Sequence, residues 1–202
     1  IQDEGAALVG EGTWLLNTVI EKADLVSAAR ASGDVIHLGD LMTICSIKYF
    51  EKAAQFHRYK GRIVFRGDAV KDSDSLAAVF QELDAQPTSV QSANANLAYG
   101  LIPGHKTTVA DAVRAYIQST LKSRHKTWVR IPRELWPGDW EKAGFRQPMC
   151  LLERALYGHP EAGAHWERHL TDAVLAIGGE EVPSHPSSFW FPKPRLLLTV
   201  YV

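Results

Sequence analysis

The sequence predicts a mixed α+β fold, a mixed antiparallel sheet packed with helices, and three observations lead there. Runs rich in β-branched and aromatic residues alternate along the chain with runs of helical periodicity. The composition, 46% apolar and 22% charged over 202 residues, suits a buried core and excludes disordered and collagen-like classes. No internal repeat, low-complexity tract or interdomain linker interrupts the chain.

The elements follow in order. Residues 13–31 place Trp14, Leu15, Val19, Leu25, Val26 and Ala29 at loosely helical spacing, and Ser32-Gly33-Asp34 breaks the run. Residues 35–50 read as strand material with a turn possible at Gly39-Asp40, and a second strand follows over 59–66. That strand sets Lys60, Arg62, Val64 and Arg66 on one face and Gly61, Ile63 and Phe65 on the other. Residues 72–86 show an i, i+3, i+4, i+7 stripe of Leu76, Val79, Phe80 and Leu83, the mark of an amphipathic helix. Pro87 stops it, and Thr88 or Ser89 can cap a further helix through Tyr99. Residues 128–131 form a short strand, 132–144 a loop, and 149–156 an apolar, extended run closed by Gly158-His159-Pro160. Residues 161–177 carry the strongest helical pattern, ended by Gly178-Gly179. Residues 180–195 are a Pro- and Ser-rich loop around an apolar patch, and 195–202 read as a buried strand.

Charge is unevenly spread. Residues 1–47 hold two basic side chains against seven acidic ones, whereas 48–67 hold six basic against one acidic. In the second stretch Lys48, Arg58, Lys60, Arg62 and Arg66 interleave with Tyr49, Phe50, Phe56, Tyr59 and Phe65, a pattern suited to phosphate-bearing partners. The alternative is a solvated strand pair whose charges discourage edge-to-edge association. No apolar run reaches membrane-span length, and Cys45 and Cys150 are too few for a disulfide framework. Cytosol or nucleus is therefore the expected compartment, with no membrane partner.

The most chemically suggestive stretch is 105–118. Thr107, Thr108 and Val109 favour a strand, and helix-compatible residues follow Asp111, which places that carboxylate at a strand end. Asp111 is then either a metal ligand or the cap of the following helix. A separate pair, His165 and His169, stands at i, i+4 on a helix and offers a zinc hydrolase as an alternative. In HWERH, however, Glu167 falls one residue later than the zinc-protease motif requires, and two solvated histidines explain the pair as well.

Six pieces of the chain, in order, resemble the reverse transcriptase of copia-type LTR retrotransposons. Residues 155–170, ALYGHPEAGAHWERHL, are similar to that family's A-L-Y-G-L-K-Q-A-P-R-A-W-Y-x-x-L. Residues 59–64 resemble its Y-K-A-R-L-V fingers strand, Asp111 to Tyr116 its D-V-K-T-A-F, and 128–132 its V-Y-M-x-x-P. Thr13-Trp14 resembles a T-W pair near the start, and 196–202 the lead-in to the Y-V-D-D box.

The resemblance implies the fingers and palm of a right-hand polymerase, with 1–104 as the N-terminal segment and fingers and 105–202 as a partial palm of one domain. It implies Mg²⁺-dependent transfer of a nucleotide from a dNTP to a primer 3′-OH on an RNA or DNA template. Two Mg²⁺ ions about 3.5–4 Å apart carry such chemistry. Asp111 would be the first catalytic carboxylate, with the Ala112 carbonyl completing its coordination. The amides of Arg114 and Ala115 would face the triphosphate, and Tyr116 would stack under the sugar. Arg62 or Lys60 would clamp the triphosphate from the fingers, and Gly158 would admit the nascent base pair. Lys48, Arg58 and Arg66 would contact nucleic acid, and other parts of a retrotransposon polyprotein are candidate partners.

Two departures stand out. His159-Pro160-Glu161 replaces L-K-Q, and the paired aspartates of the family would begin only at residue 203. The second metal-binding pair is thus missing, so the expectation is half a site, inactive alone. A degenerate, non-catalytic remnant that only binds nucleic acid is the alternative.

Overall fold

The computed structural model describes residues 1–81, 83 and 85–201. It is a mixed α+β arrangement. Along the chain run α1 (Gln2–Gly10), β1 (Trp14–Glu21), α2 (Lys22–Ser32), β2 (His37–Lys48), β3 (Arg58–Phe65), β4 (Lys71–Asp72) and α3 (Val90–Gly100). They are followed by β5 (Thr127–Arg130), β6 (Pro148–Leu152), α4 (Ala162–Ala176), β7 (Glu180–Glu181), β8 (Ser188–Phe191) and β9 (Leu196–Thr199).

The larger sheet has the order β1-β6-β5-β2-β3, with β4 also paired to β2. The β2–β5 pair is parallel and the other pairs are antiparallel. Strands from both sides of residue 104 thus share one sheet. A smaller sheet, β7-β8-β9, stands apart from it. Trp14, Leu41, Ile63, Phe65, Val129, Cys150, Leu152 and Leu156 form the main core. Each large side chain buried there contributes about 1.5–3 kcal/mol.

The β2–β3 ribbon follows the predicted alternation. Ile63 and Phe65 are buried, and Arg62 is exposed. The register sets Lys48 opposite Arg58, Ser46 opposite Lys60 and Ile44 opposite Arg62, so four basic side chains share one face. Ser89 caps α3 by accepting from the Ser92 amide. α4 ends as its Gly178-Gly179 pair predicts: Gly178 has φ 88, and its amide and that of Gly179 donate to the Leu175 and Val174 carbonyls.

Several expectations are corrected. Residues 14–21 form a strand and not a helix, because Thr18, Val19 and Ile20 favour extended backbone and β6 supplies a partner. The Leu151 amide donates to Thr18 Oγ1 at 3.0 Å, which repairs the ladder where the register shifts. Gly39-Asp40 is not a turn but part of β2; the Phe65 ring lies where a Gly39 Cβ would stand. The expected 72–86 helix is absent among the described residues. Asp72 Oδ1 instead accepts from the amides of Asp74 and Leu76, an Asx turn that competes with a first helical turn. Leu76, Val79 and Leu83, read as a buried stripe, are 65%, 75% and 59% exposed. The final strand spans only 196–199 and lies at the edge of the small sheet, with Leu196 exposed. Parts of these last two expectations fall on Glu82, Asp84 and Val202, outside the described residues.

Candidate functional site

The strand expected before Asp111 and the helix expected after it are both absent. Residues 107–112 have no regular structure, and a three-residue 3-10 turn, Tyr116–Gln118, follows. With no strand partner for the β-branched run, Val109 is 95% exposed, and Asp111 and Ala112 are exposed on the same loop. Propensity alone does not hold an unpaired strand in water.

Distant pieces nevertheless converge beside Asp111. The Tyr116 and Tyr157 rings meet edge to face, their centroids 4.7 Å apart. The Tyr157 hydroxyl is held above its ordinary pKa, first by burial, then by Tyr116, Asp111 and Glu4, while Arg62 pulls it down. The charges of Arg62, from β3, and Asp111, from the loop, therefore act in opposite senses on this phenol.

The turn carrying Tyr157 is stapled to the end of β3. Phe65 donates its amide to the Tyr157 carbonyl at 2.7 Å. Gly158 has φ 88, and a Cβ there would collide with the Phe65 carbonyl oxygen. A Cβ on Gly67 would in turn strike the Gly158 carbonyl. Glycine is required at 158 on both counts, left-handed backbone and close approach.

Arg114 is committed elsewhere. It has φ 53, and its guanidinium lies 3.6 Å from Glu11 and 3.9 Å from Glu4. The amides of Arg114 and Ala115 do not open an α-helix, so the expected anion-facing helix start is not formed. Arg66 lies just past β3 and pairs with Asp68 at 3.2 Å, so it leaves the basic face of the ribbon. Lys48, Arg58, Lys60 and Arg62 keep that face, with Ile44, Ile47, Phe50 and Tyr59 exposed along the ribbon and its tip.

Toward a Mg²⁺ ion the structure offers the Asp111 carboxylate on an exposed loop. Among the described residues no three His, Cys, Asp or Glu side chains are grouped to hold a metal. Asp111 is one exposed carboxylate, and the nearby Glu4 already faces Arg114. The His165/His169 pair does not converge either. His165 is 4% exposed and faces Glu161 at 3.9 Å, whereas His169 is exposed with its ring against Trp166. The reading of both as solvated is corrected for His165. Cys150 is buried, and burial pushes its thiol up to about 12, which suits a core residue and not a nucleophile. Cys45 is exposed on β2.

Sequence reasoning missed a buried polar cluster beside this site. His37, His159, Glu161 and His165 are each less than 5% exposed. Glu161 accepts the Gln81 amide at 3.1 Å on Oε1 and the Ser123 hydroxyl on Oε2. The available signal was the His159-Pro160-Glu161 departure, which puts two ionisable groups at the mouth of a strongly amphipathic helix. No helix among the described residues is long and apolar enough to cross a membrane. No family model, curated protein or solved structure matches this chain.

Proposed function

We propose that the chain is the fingers and partial palm of a right-hand, copia-type reverse transcriptase that engages a template-primer of RNA or DNA and a dNTP. The supporting observation is convergence. The Tyr116 and Tyr157 rings pack together, the Tyr157-Gly158 turn is joined to the end of β3, and the charges of Arg62 and Asp111 both act on the Tyr157 phenol. The same positions carry the ordered motif resemblance. Lys60 and Arg62 offer cationic donors to phosphate, and the Tyr116–Tyr157 pair offers a rigid aromatic surface to a sugar or base. Such work belongs in the cytosol or nucleus.

A second reading is nucleic-acid binding without nucleotidyl transfer. One observation favours it: the exposed basic face of the ribbon. One pair of measurements separates the readings. Fluorescence anisotropy with a labelled primer-template should show salt-dependent binding that Lys60→Glu/Arg62→Glu weakens about tenfold. Primer extension with added Mg²⁺ by a longer polypeptide that continues past residue 202 into paired aspartates, abolished by Asp111→Ala, supports the polymerase. Binding without extension by that longer polypeptide supports the second reading, and no binding by the wild-type chain defeats both.

A further inference from the structure

We infer that the 158–161 turn is an acid-sensitive latch, in which neutral His159 joins the turn to β5 and α4 and its protonation releases the turn with the Phe80-Gln81 segment.

The hydrogen bonds require a neutral ring. Glu161 donates its amide to His159 Nδ1 at 3.2 Å, so that nitrogen carries no proton. The ring proton then sits on Nε2, which faces Thr127 Oγ1 at 3.4 Å. A second proton, on Nδ1, would set N–H against N–H and break the join to Glu161. Nor does the ring reach bulk solvent, which would solvate the cation. The ring is 4% exposed, packed against Phe65 at 4.8 Å and Phe80 at 5.2 Å.

Burial, more than the surrounding charges, opposes an imidazolium, and of those charges Glu161 is the strongest and favours it. Burial first, then His165 from α4 and His37 from β2, lower the His159 pKa to about 4, while Glu161 opposes them. His37 is itself lowered, by burial and by His125 ahead of β5, against Glu161 and Asp72 of β4. Its Nδ1 has no hydrogen-bond partner among the described residues. Phe80 stands edge-on to both rings, 4.6 Å from His37 and 5.2 Å from His159. Protonation on either side would therefore drive water toward the one ring that plugs the space between them.

The Phe80 segment is poised to leave. Leu76, Val79 and Leu83 around it are exposed, and among the described residues of the segment Ala78 and Phe80 are the hydrophobics that pack on the core. The Gln81 amide on Glu161 closes the clasp. Such a segment opens at a fraction of the global unfolding free energy. The folded pKa lies below the ordinary 6.5, so the latch holds above that pH and weakens as pH falls toward about 4. Tyr157 and Gly158 ride on the same turn, which couples the latch to the candidate site.

Hydrogen exchange of the whole chain, corrected for intrinsic rates, tests this between about pH 7.5 and pH 4. Protection at 76–81 and 156–161 should fall several-fold while β5 and β6 stay protected. His159→Gln keeps an acceptor for the Glu161 amide without a titrating ring, and should flatten the response. An unchanged response in His159→Gln, or opening only together with β5 and β6, overturns the latch. Should that variant not fold, NMR titration of the wild-type His159 ring decides: a midpoint below about 5 supports the latch, and one near 6.5 overturns it.

Discussion

Asp111 and Glu161 are two carboxylates in sequence contexts of opposite promise, and the fold reverses their standing. Asp111 sits within a family-like motif, yet it lies exposed on an irregular loop. Glu161 sits where the motif breaks down, yet it is 3% exposed and holds an amide from 81 and a hydroxyl from 123. A carboxylate gains structural weight from the donors that reach it once the chain has folded, and those donors come from distant segments. Motif context around the residue itself carries no such information.

The sharpest way to break the comparison is to remove each carboxylate. Glu161→Ala should strand the Gln81 amide and the Ser123 hydroxyl and lower stability by roughly 2–4 kcal/mol in urea unfolding. Asp111→Ala should change stability by less than about 0.5 kcal/mol, as an exposed loop position does. Equal effects would end the contrast.

Gly158→Ala comes close behind. It forces a left-handed residue and drives a Cβ into the Phe65 carbonyl, so a loss of roughly 2 kcal/mol or more is expected. Gly104→Ala is the control, with φ 86 but open space, and should cost about 1 kcal/mol.

The pH dependence has a definite sign. With a folded value of about 4 against an ordinary 6.5, His159 binds fewer protons when folded. Stability should be steady above pH 6.5 and decline as pH falls toward about 4, by roughly 3 kcal/mol from this ring. Urea midpoints for the wild type and His159→Gln across that window check it.

The smallest effect on the fold, and the most specific on binding, comes from the ribbon. Lys60→Glu/Arg62→Glu should leave the urea midpoint nearly unchanged. It should weaken template-primer binding about tenfold and make the salt dependence shallower by about one contact per residue.

Where interactions are local or strictly periodic, the residues declared the structure. Ile63 and Phe65 alternate with Lys60 and Arg62, and β3 follows. Ser89 caps α3, and Gly178-Gly179 ends α4 at the expected place. The α+β class and the shared basic face of the ribbon were legible for the same reason: side-chain alternation is a property of neighbours in sequence.

Tertiary contacts decided the rest. Trp14–Glu21 had helical spacing, but a strand partner in β6 outweighed it. The 72–86 stripe lost to an Asx turn at Asp72, and the run before Asp111 found no strand to pair with. The join of Tyr157-Gly158 to Phe65 and the sealing of His159 between Phe65 and Phe80 depend on segments that meet only after folding. Strand pairing and buried polar bonding are non-local: their free energy depends on the partner as well as the run. That is why the regular elements can be read from the chain, whereas the surroundings of its two carboxylates cannot.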